Sequence, residues 1–214
     1  MKKIMMIVLL LVGYAGVANA QYDTKAKKVL DAMSSKYKSI PSFKAKISQH
    51  LENEEENIDE KFNGEITVKG EMFKLVLAGQ EIYNNGNTVW TYLEEVNEVN
   101  IDNYDPEEGE TNPATIYNAY KDGYKYVYLK SQSMSGKNYD VVDLIPEDKN
   151  LQYFKIRMVI DQKDKLLRSW KMFDKNGNRY EYSITSFDPE YAVNSDYFKF
   201  DPNKYPGVEI IDLR

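Results

Sequence analysis

From residue 43 onward the apolar residues recur at every second position, in one short run after another. Residues 43 to 51 set out Phe43, Ala45, Ile47 and Leu51; residues 62 to 68, Phe62, Gly64, Ile66 and Val68; residues 72 to 78, Phe73, Leu75 and Leu77. A period of two belongs to a strand, whose side chains alternate between two faces, and a helix cannot satisfy it. Further runs of this kind cover 80 to 84, 88 to 93, 96 to 102, 124 to 131, 138 to 145, 152 to 161, 166 to 174 and 179 to 187. The connections read SMSGKN, PEDKN, DQKDK and DKNGN, all rich in turn formers. The pattern predicts eleven strands in one large, strongly curved antiparallel sheet. A content of 18 Tyr and 8 Phe suits that assignment.

Two segments depart from the period. In DTKAKKVLDAMSSKYKSI, Ala26, Val29, Leu30, Met33 and Tyr37 form one helical stripe, with Asp23 or Thr24 able to cap it and Pro41 to end it. In DPEEGETNPATIYNAYKDGY, residues 105 to 124, an acidic loop leads into a second helix. There Asn112 can cap, Pro113 suits the first turn, Ile116, Tyr117 and Tyr120 give the apolar stripe, and Gly123 ends it. A helix with one apolar face must lay it on something. The class is therefore mainly β with helices (α+β). No linker or repeat divides the chain, and residues 21–214 are expected to form a single domain.

The first twenty residues, MKKIMMIVLLLVGYAGVANA, have a basic start, a short apolar run and a small-x-small ending at Ala18-Asn19-Ala20. They read as a cleaved Sec signal peptide, 1–20, with the mature chain beginning at Gln21 and released soluble into the periplasm. The chain has no Cys, so neither a disulfide nor a lipid-bearing cysteine is available. The net charge of −6, more negative once Lys2 and Lys3 are removed, argues against nucleic acid and anionic lipid heads.

No catalytic constellation emerges. His50 is the only histidine and lies in a strand pattern beside the acidic stretch ENEEENIDE, residues 52 to 60, which reads as a solvated hairpin loop. One His and no Cys remove thiol catalysis and ordinary zinc sites, and no G-x-S-x-G elbow is present. The stretch DKNGNRYE begins like a calcium loop, but Arg179 stands where that loop needs Gly and Thr185 where it needs Glu. It reads as a hairpin turn. No enzyme, no metal and no cofactor is expected.

What remains is the apolar side of the sheet. Val142 and Leu144; Ile156, Met158 and Ile160; Trp170 and Met172; Tyr180, Tyr182 and Ile184 alternate with mostly polar neighbours in the second half. In the first half Phe73, Leu75 and Leu77 do so, as do Trp90 and Tyr92 after the Asn85-Gly86 turn. Two helices are too few to cover eleven strands. Either the sheet closes on itself, or it keeps a concave apolar surface for a guest. Periodicity leaves both open, along with a sugar platform built on exposed tyrosines.

Several segments, in order, carry a family resemblance. SFKAKISQ follows the first helix; then come GEITVKGEMFKL, EIYNNGNTVWTYLEEVNEV, VVDLIPEDKNLQYFKIRMVID, SWKMFDKNGNRYEYSIT and DYFKFDPNKYPGVEII. Together they resemble the periplasmic outer-membrane lipoprotein carrier family, LolA-like, in a divergent branch. The resemblance implies an eleven-stranded antiparallel half-barrel, an unclosed β-barrel with a helical lid over an apolar concave face. It implies a soluble, monomeric carrier for the acyl chains of lipoproteins, working between an inner-membrane lipoprotein-releasing transporter and an outer-membrane acceptor. A lipid-binding envelope sensor of the same fold is the alternative. The acyl cavity would use Phe73, Leu75, Trp90, Tyr92, Ile156, Met158, Trp170, Met172, Tyr182 and Ile184, and the lid Leu30, Met33, Ile116 and Tyr120. Typical members carry Arg-Pro after the strand that reads GEITVK here, and that Arg helps latch the lid. In this chain Lys69 is followed by Gly70-Glu71.

Overall fold

The computed structural model describes residues 23–105 and 114–214. The expected leader, the start at Gln21, and the roles expected of Asn112 and Pro113 lie outside the described residues. Helix α1 spans Thr24–Lys38. Asp23 caps it, one carboxylate oxygen accepting from the Lys25 and Ala26 N–H groups at 2.8 and 3.1 Å. Ala26, Leu30, Met33 and Tyr37 bury one stripe, and Pro41, with its fixed φ and missing N–H, bars any continuation.

The strands follow: β1 (Ser42–Asn53), β2 (Ile58–Lys69), β3 (Met72–Leu77), β4 (Gln80–Asn84), β5 (Thr88–Leu93) and β6 (Glu98–Asn103). After a short 3-10 helix, η1 (Ile116–Lys121), come β7 (Tyr124–Met134), β8 (Lys137–Pro146), β9 (Tyr153–Asp161), β10 (Leu167–Asp174) and β11 (Arg179–Asp188). Two further 3-10 turns, η2 (Ser195–Phe198) and η3 (Pro202–Lys204), lead to β12 (Glu209–Asp212). All twelve form one sheet in the order β12-β6-β5-β4-β3-β2-β1-β11-β10-β9-β8-β7. The edge strands β7 and β12 do not pair, so the sheet is an unclosed half-barrel.

Three expectations are corrected. There are twelve strands rather than eleven, because the tail adds β12, which pairs with β6 in parallel from Glu209↔Glu98 to Asp212↔Ile101. A four-residue strand far from its partner in sequence leaves no alternation to read. The second helix is a six-residue 3-10 turn; a segment this short cannot support an α-helical nucleus and is held by its tertiary contacts. The acidic stretch 52–60 is mostly strand. The β1–β2 ladder runs out to Asn53↔Ile58, with only 54–57 in the turn. Asn53 makes this possible, its side-chain oxygen accepting from the Glu55 and Glu56 N–H groups, both at 3.1 Å.

The principal core lies inside the curl. Phe73 and Leu75 of β3 share one buried cluster with Val142 and Leu144 of β8, and with α1 and η1. Strands this distant in the sheet order meet only because the sheet bends round upon itself. A second, smaller core lies on the outer face. Tyr83, Tyr92 and Val99 pack there against Phe200, with Trp90, Tyr205 and Val208 around them, so the C-terminal segment crosses the back of β3–β6.

Candidate ligand-binding site

Register decides which side chains face the lumen. Phe73 and Leu75 stand opposite Val68 and Ile66 of β2, which stand opposite Phe43 and Ala45 of β1. On the far side Leu144 and Val142 oppose Ile156 and Met158, which oppose Met172 and Trp170; these in turn oppose Tyr180 and Tyr182. Phe73, Leu75, Ile156, Met158 and Trp170 are buried in one cluster, and Met172, Tyr182 and Ile184 pack against it half-buried. Trp170 and Tyr182 stack at 4.7 Å with planes 9° apart, and Gln49 Nε2 donates to the Tyr182 hydroxyl at 3.1 Å. Burial pushes that hydroxyl up to about 12, so it stays protonated throughout the neutral range.

Trp90 and Tyr92 are not part of this wall. Phe73 pairs with Asn84 and Lys74 with Tyr83; Tyr83 pairs with Trp90, and Tyr92 with Val99. Trp90 and Tyr92 therefore share the face of Lys74, the outer one, and belong to the core beneath the C-terminal segment. From β4 to β6 the more apolar side of the sheet has changed over. The tail is bolted there: the Tyr83 and Tyr205 hydroxyls both reach Glu81 Oε2, at 2.8 and 3.0 Å, and Lys74 Nζ reaches it at 2.9 Å.

Over the lumen sits the lid. Leu30 and Met33 of α1 are fully buried, and Ile116 and Tyr120 of η1 nearly so, all in the cluster with the inner wall. Tyr37 of α1 stacks on Tyr117 of η1 at 4.4 Å and 8°, and meets Phe43 edge-on at 5.6 Å. The space left between lid and sheet, bounded by Tyr37, Phe43, Ile116, Tyr117, Trp170 and Ile184 among others, is about 10 Å³, less than one water needs. The lid is closed, and its own side chains fill the half-barrel.

Three polar contacts tie it down. The Tyr120 hydroxyl donates to Asp31 Oδ1 at 2.8 Å, and the Ser34 hydroxyl to Asn118 Oδ1 at 2.7 Å, joining α1 to η1. The Tyr128 N–H, on the outward edge of β7, donates to the second oxygen of Asp23 at 2.9 Å. Hydrogen bonds from the Ala26 and Tyr128 N–H groups hold the Asp23 carboxyl below its ordinary value, and the Lys27 ammonium does the same for Asp31. Lys69, beside the position where related carriers place their latching Arg, instead donates to the Val193 carbonyl at 2.9 Å and so holds the tail. Sequence reasoning missed these ties. The one available signal was the placing of Asp31 and Ser34 beside the apolar stripe of α1.

His50 lies outside the lumen, on β1, with Nε2 2.8 Å from Asp59 Oδ1. Among the described residues no group of acidic or His side chains is placed to hold a metal, and no helix is long and apolar enough to cross a membrane.

No curated protein matches the chain in sequence. Among solved structures it is similar to an uncharacterized conserved protein from Thermus thermophilus, with a TM-score of 0.60 at 10% identity over 88% of this chain and 99% of that one. It is also similar to a LolA superfamily protein from Nitrosomonas europaea (TM-score 0.46, 14% identity, 82% and 98% covered) and to the Mycobacterium tuberculosis lipoprotein LppX (TM-score 0.47, 11% identity, 79% and 99% covered). Identities this low speak to the fold alone. The family described as outer membrane lipoprotein carrier protein LolA matches residues 38–201, from the end of α1 to the tail that closes the outer core. Over that span motif, register and architecture agree, and the chain belongs to the LolA family.

Proposed function

We propose that the protein is a non-enzymatic periplasmic carrier that takes acyl chains of lipoproteins into the half-barrel and passes them on. The observation that carries this reading is the inner face: it is apolar from β7 round to β3, yet it is covered by one helix and one 3-10 turn tied down by few polar contacts. Four buried lid side chains, Leu30, Met33, Ile116 and Tyr120, are worth roughly 6–12 kcal/mol of burial. An acyl chain recovers about 0.8 kcal/mol per methylene, so about a dozen methylenes offset the loss of all four. Exchange of lid for guest is then close to balanced, which is what loading and release both require. Phe73, Leu75, Ile156, Met158, Trp170, Met172, Tyr182 and Ile184 would line the guest.

The donor would be an inner-membrane lipoprotein-releasing transporter and the receiver an outer-membrane acceptor. A second reading, a lipid-binding sensor without onward transfer, draws support from Lys69 and Gly70-Glu71, where the family's Arg latch is missing. Native mass spectrometry of mature protein isolated from periplasm tests the common core of both. Acylated protein or lipid should co-purify; a homogeneous apo protein that takes up no acyl chain on addition contradicts it. Transfer of a loaded acylated protein to acceptor-bearing membranes then separates carrier from sensor.

A further inference from the structure

Beside the closed lumen lies a cleft of about 690 Å³, lined by Val68, Phe73, Tyr104, Tyr117 and Tyr124 together with the Gly70-Glu71 turn and the rest of η1. That volume falls within the range of small-molecule sites. Tyr117 borders both this cleft and the sealed lumen, so the stacked Tyr37–Tyr117 pair is the partition between them.

At the back of the cleft is an unusual polar group. Asn84 is fully buried, opposite the cleft-lining Phe73 and opposite Val89. Its Oδ1 accepts the Gly86 N–H at 2.7 Å. That contact fixes the orientation of the amide, because a backbone N–H demands an acceptor. The other end, Nδ2, is a buried donor without a hydrogen-bond partner. Buried donors are almost always satisfied, and one left over asks for an explanation. Its neighbour in the cleft is the Tyr104 hydroxyl, which burial and the Glu71 carboxylate push up while the Asn84 amide draws it back. Tyr104 is held at the end of β6 by its own N–H, which donates to the Asn87 carbonyl at 2.8 Å.

The geometry points to an acyl-ester site: Tyr104 and Asn84 supply donors to the ester carbonyl of a lipid whose chain runs along Val68, Phe73 and Tyr117 toward the lumen. This deepens the acyl-carrier reading and rests on it. It makes the ligand an ester, as distinct from any apolar chain of the same length. The cleft, outside the lid partition, would engage the carbonyl before Tyr117 yields.

The experiment compares two uncharged probes of equal chain length, 1-monopalmitoylglycerol and its ether counterpart 1-O-hexadecylglycerol, titrated against the mature protein by calorimetry. The ester is expected to bind about five- to tenfold more tightly, the size of one neutral hydrogen bond. Tyr104→Phe, which keeps the ring and removes the donor, should cut that ratio toward one while leaving ether binding unchanged. Asn84→Leu should do the same, and Tyr104→Phe carries the test if the Asn84 variant does not fold. Equal affinity for ester and ether in the unaltered protein, or a ratio that survives Tyr104→Phe, overturns the ester site and leaves the acyl reading standing. Binding of neither probe overturns both.

Discussion

Met33 has two roles that a single substitution separates. Its side chain is fully buried on the inner surface of α1, so Met33→Ala should lower stability by about 2–5 kcal/mol, as core truncations do. The same change empties lid volume from a lumen that has almost none to spare. Met33→Ala should therefore melt earlier and yet take up an acyl probe more readily, which thermal denaturation with and without probe reads directly. Tyr120→Phe isolates the polar side of closure. It keeps the ring against Tyr126 and removes only the hydrogen bond to Asp31, at a cost of about 1 kcal/mol. Amide exchange over Ile116–Lys121 should speed up about fivefold, with little change in the strands of the sheet. At this scale the sequence is most readable where a residue serves only burial. Leu30, Met33, Ile116 and Tyr120 stand out by periodicity alone. Asp23, Asp31, Ser34 and Asn118 do not, because a polar residue that ties two elements looks in sequence like any solvated one.

At the scale of elements the lid is tied to the edge of the sheet as well as to itself. Asp23 caps α1 with one oxygen and receives the Tyr128 N–H of β7 with the other. Asp31 meets both Lys27 and Tyr120. Both carboxyls titrate below their ordinary value in the closed lid, so each favours closure above about pH 3.9, the ordinary value. That contribution is lost as pH falls through the lowered one. Fluorescence of a dye that binds apolar surface should stay flat from pH 8 to pH 5 and rise below about pH 4. Asp31→Asn, with one titrating tie removed, should give a smaller acid rise from a higher baseline. A rise centred near pH 6.5 would implicate His50 and contradict this assignment. Strand existence was legible almost throughout, because alternation is local. The side a strand presents is not local: Trp90 and Tyr92 visibly share a face, but the hairpin register from Phe73↔Asn84 onward decides which one. The clue was available in Phe200, Tyr205 and Val208, a tail too apolar to lie in water.

At the scale of the molecule one curved sheet carries two cores on opposite faces. The outer one, under the C-terminal segment, is bolted by Tyr83, Tyr205, Glu81 and Lys74 and stabilises β3–β6 without any part in the lumen. The inner one is shared between sheet and lid, and the central claim is that a guest chain can replace the lid's share of it. The chain has two tryptophans, and they report on the two cores separately: Trp170 is buried in the inner wall and Trp90 lies on the outer face. A brominated acyl chain quenches indole fluorescence only at close range. The most direct measurement is therefore titration of such a lipid against Trp90→Phe, in which Trp170 alone emits, and against Trp170→Phe, in which Trp90 alone emits. Saturable quenching of Trp170 with Trp90 unaffected is the predicted result. Quenching of Trp90 alone, or of neither, would place the acyl chain somewhere other than the lumen and contradict the account.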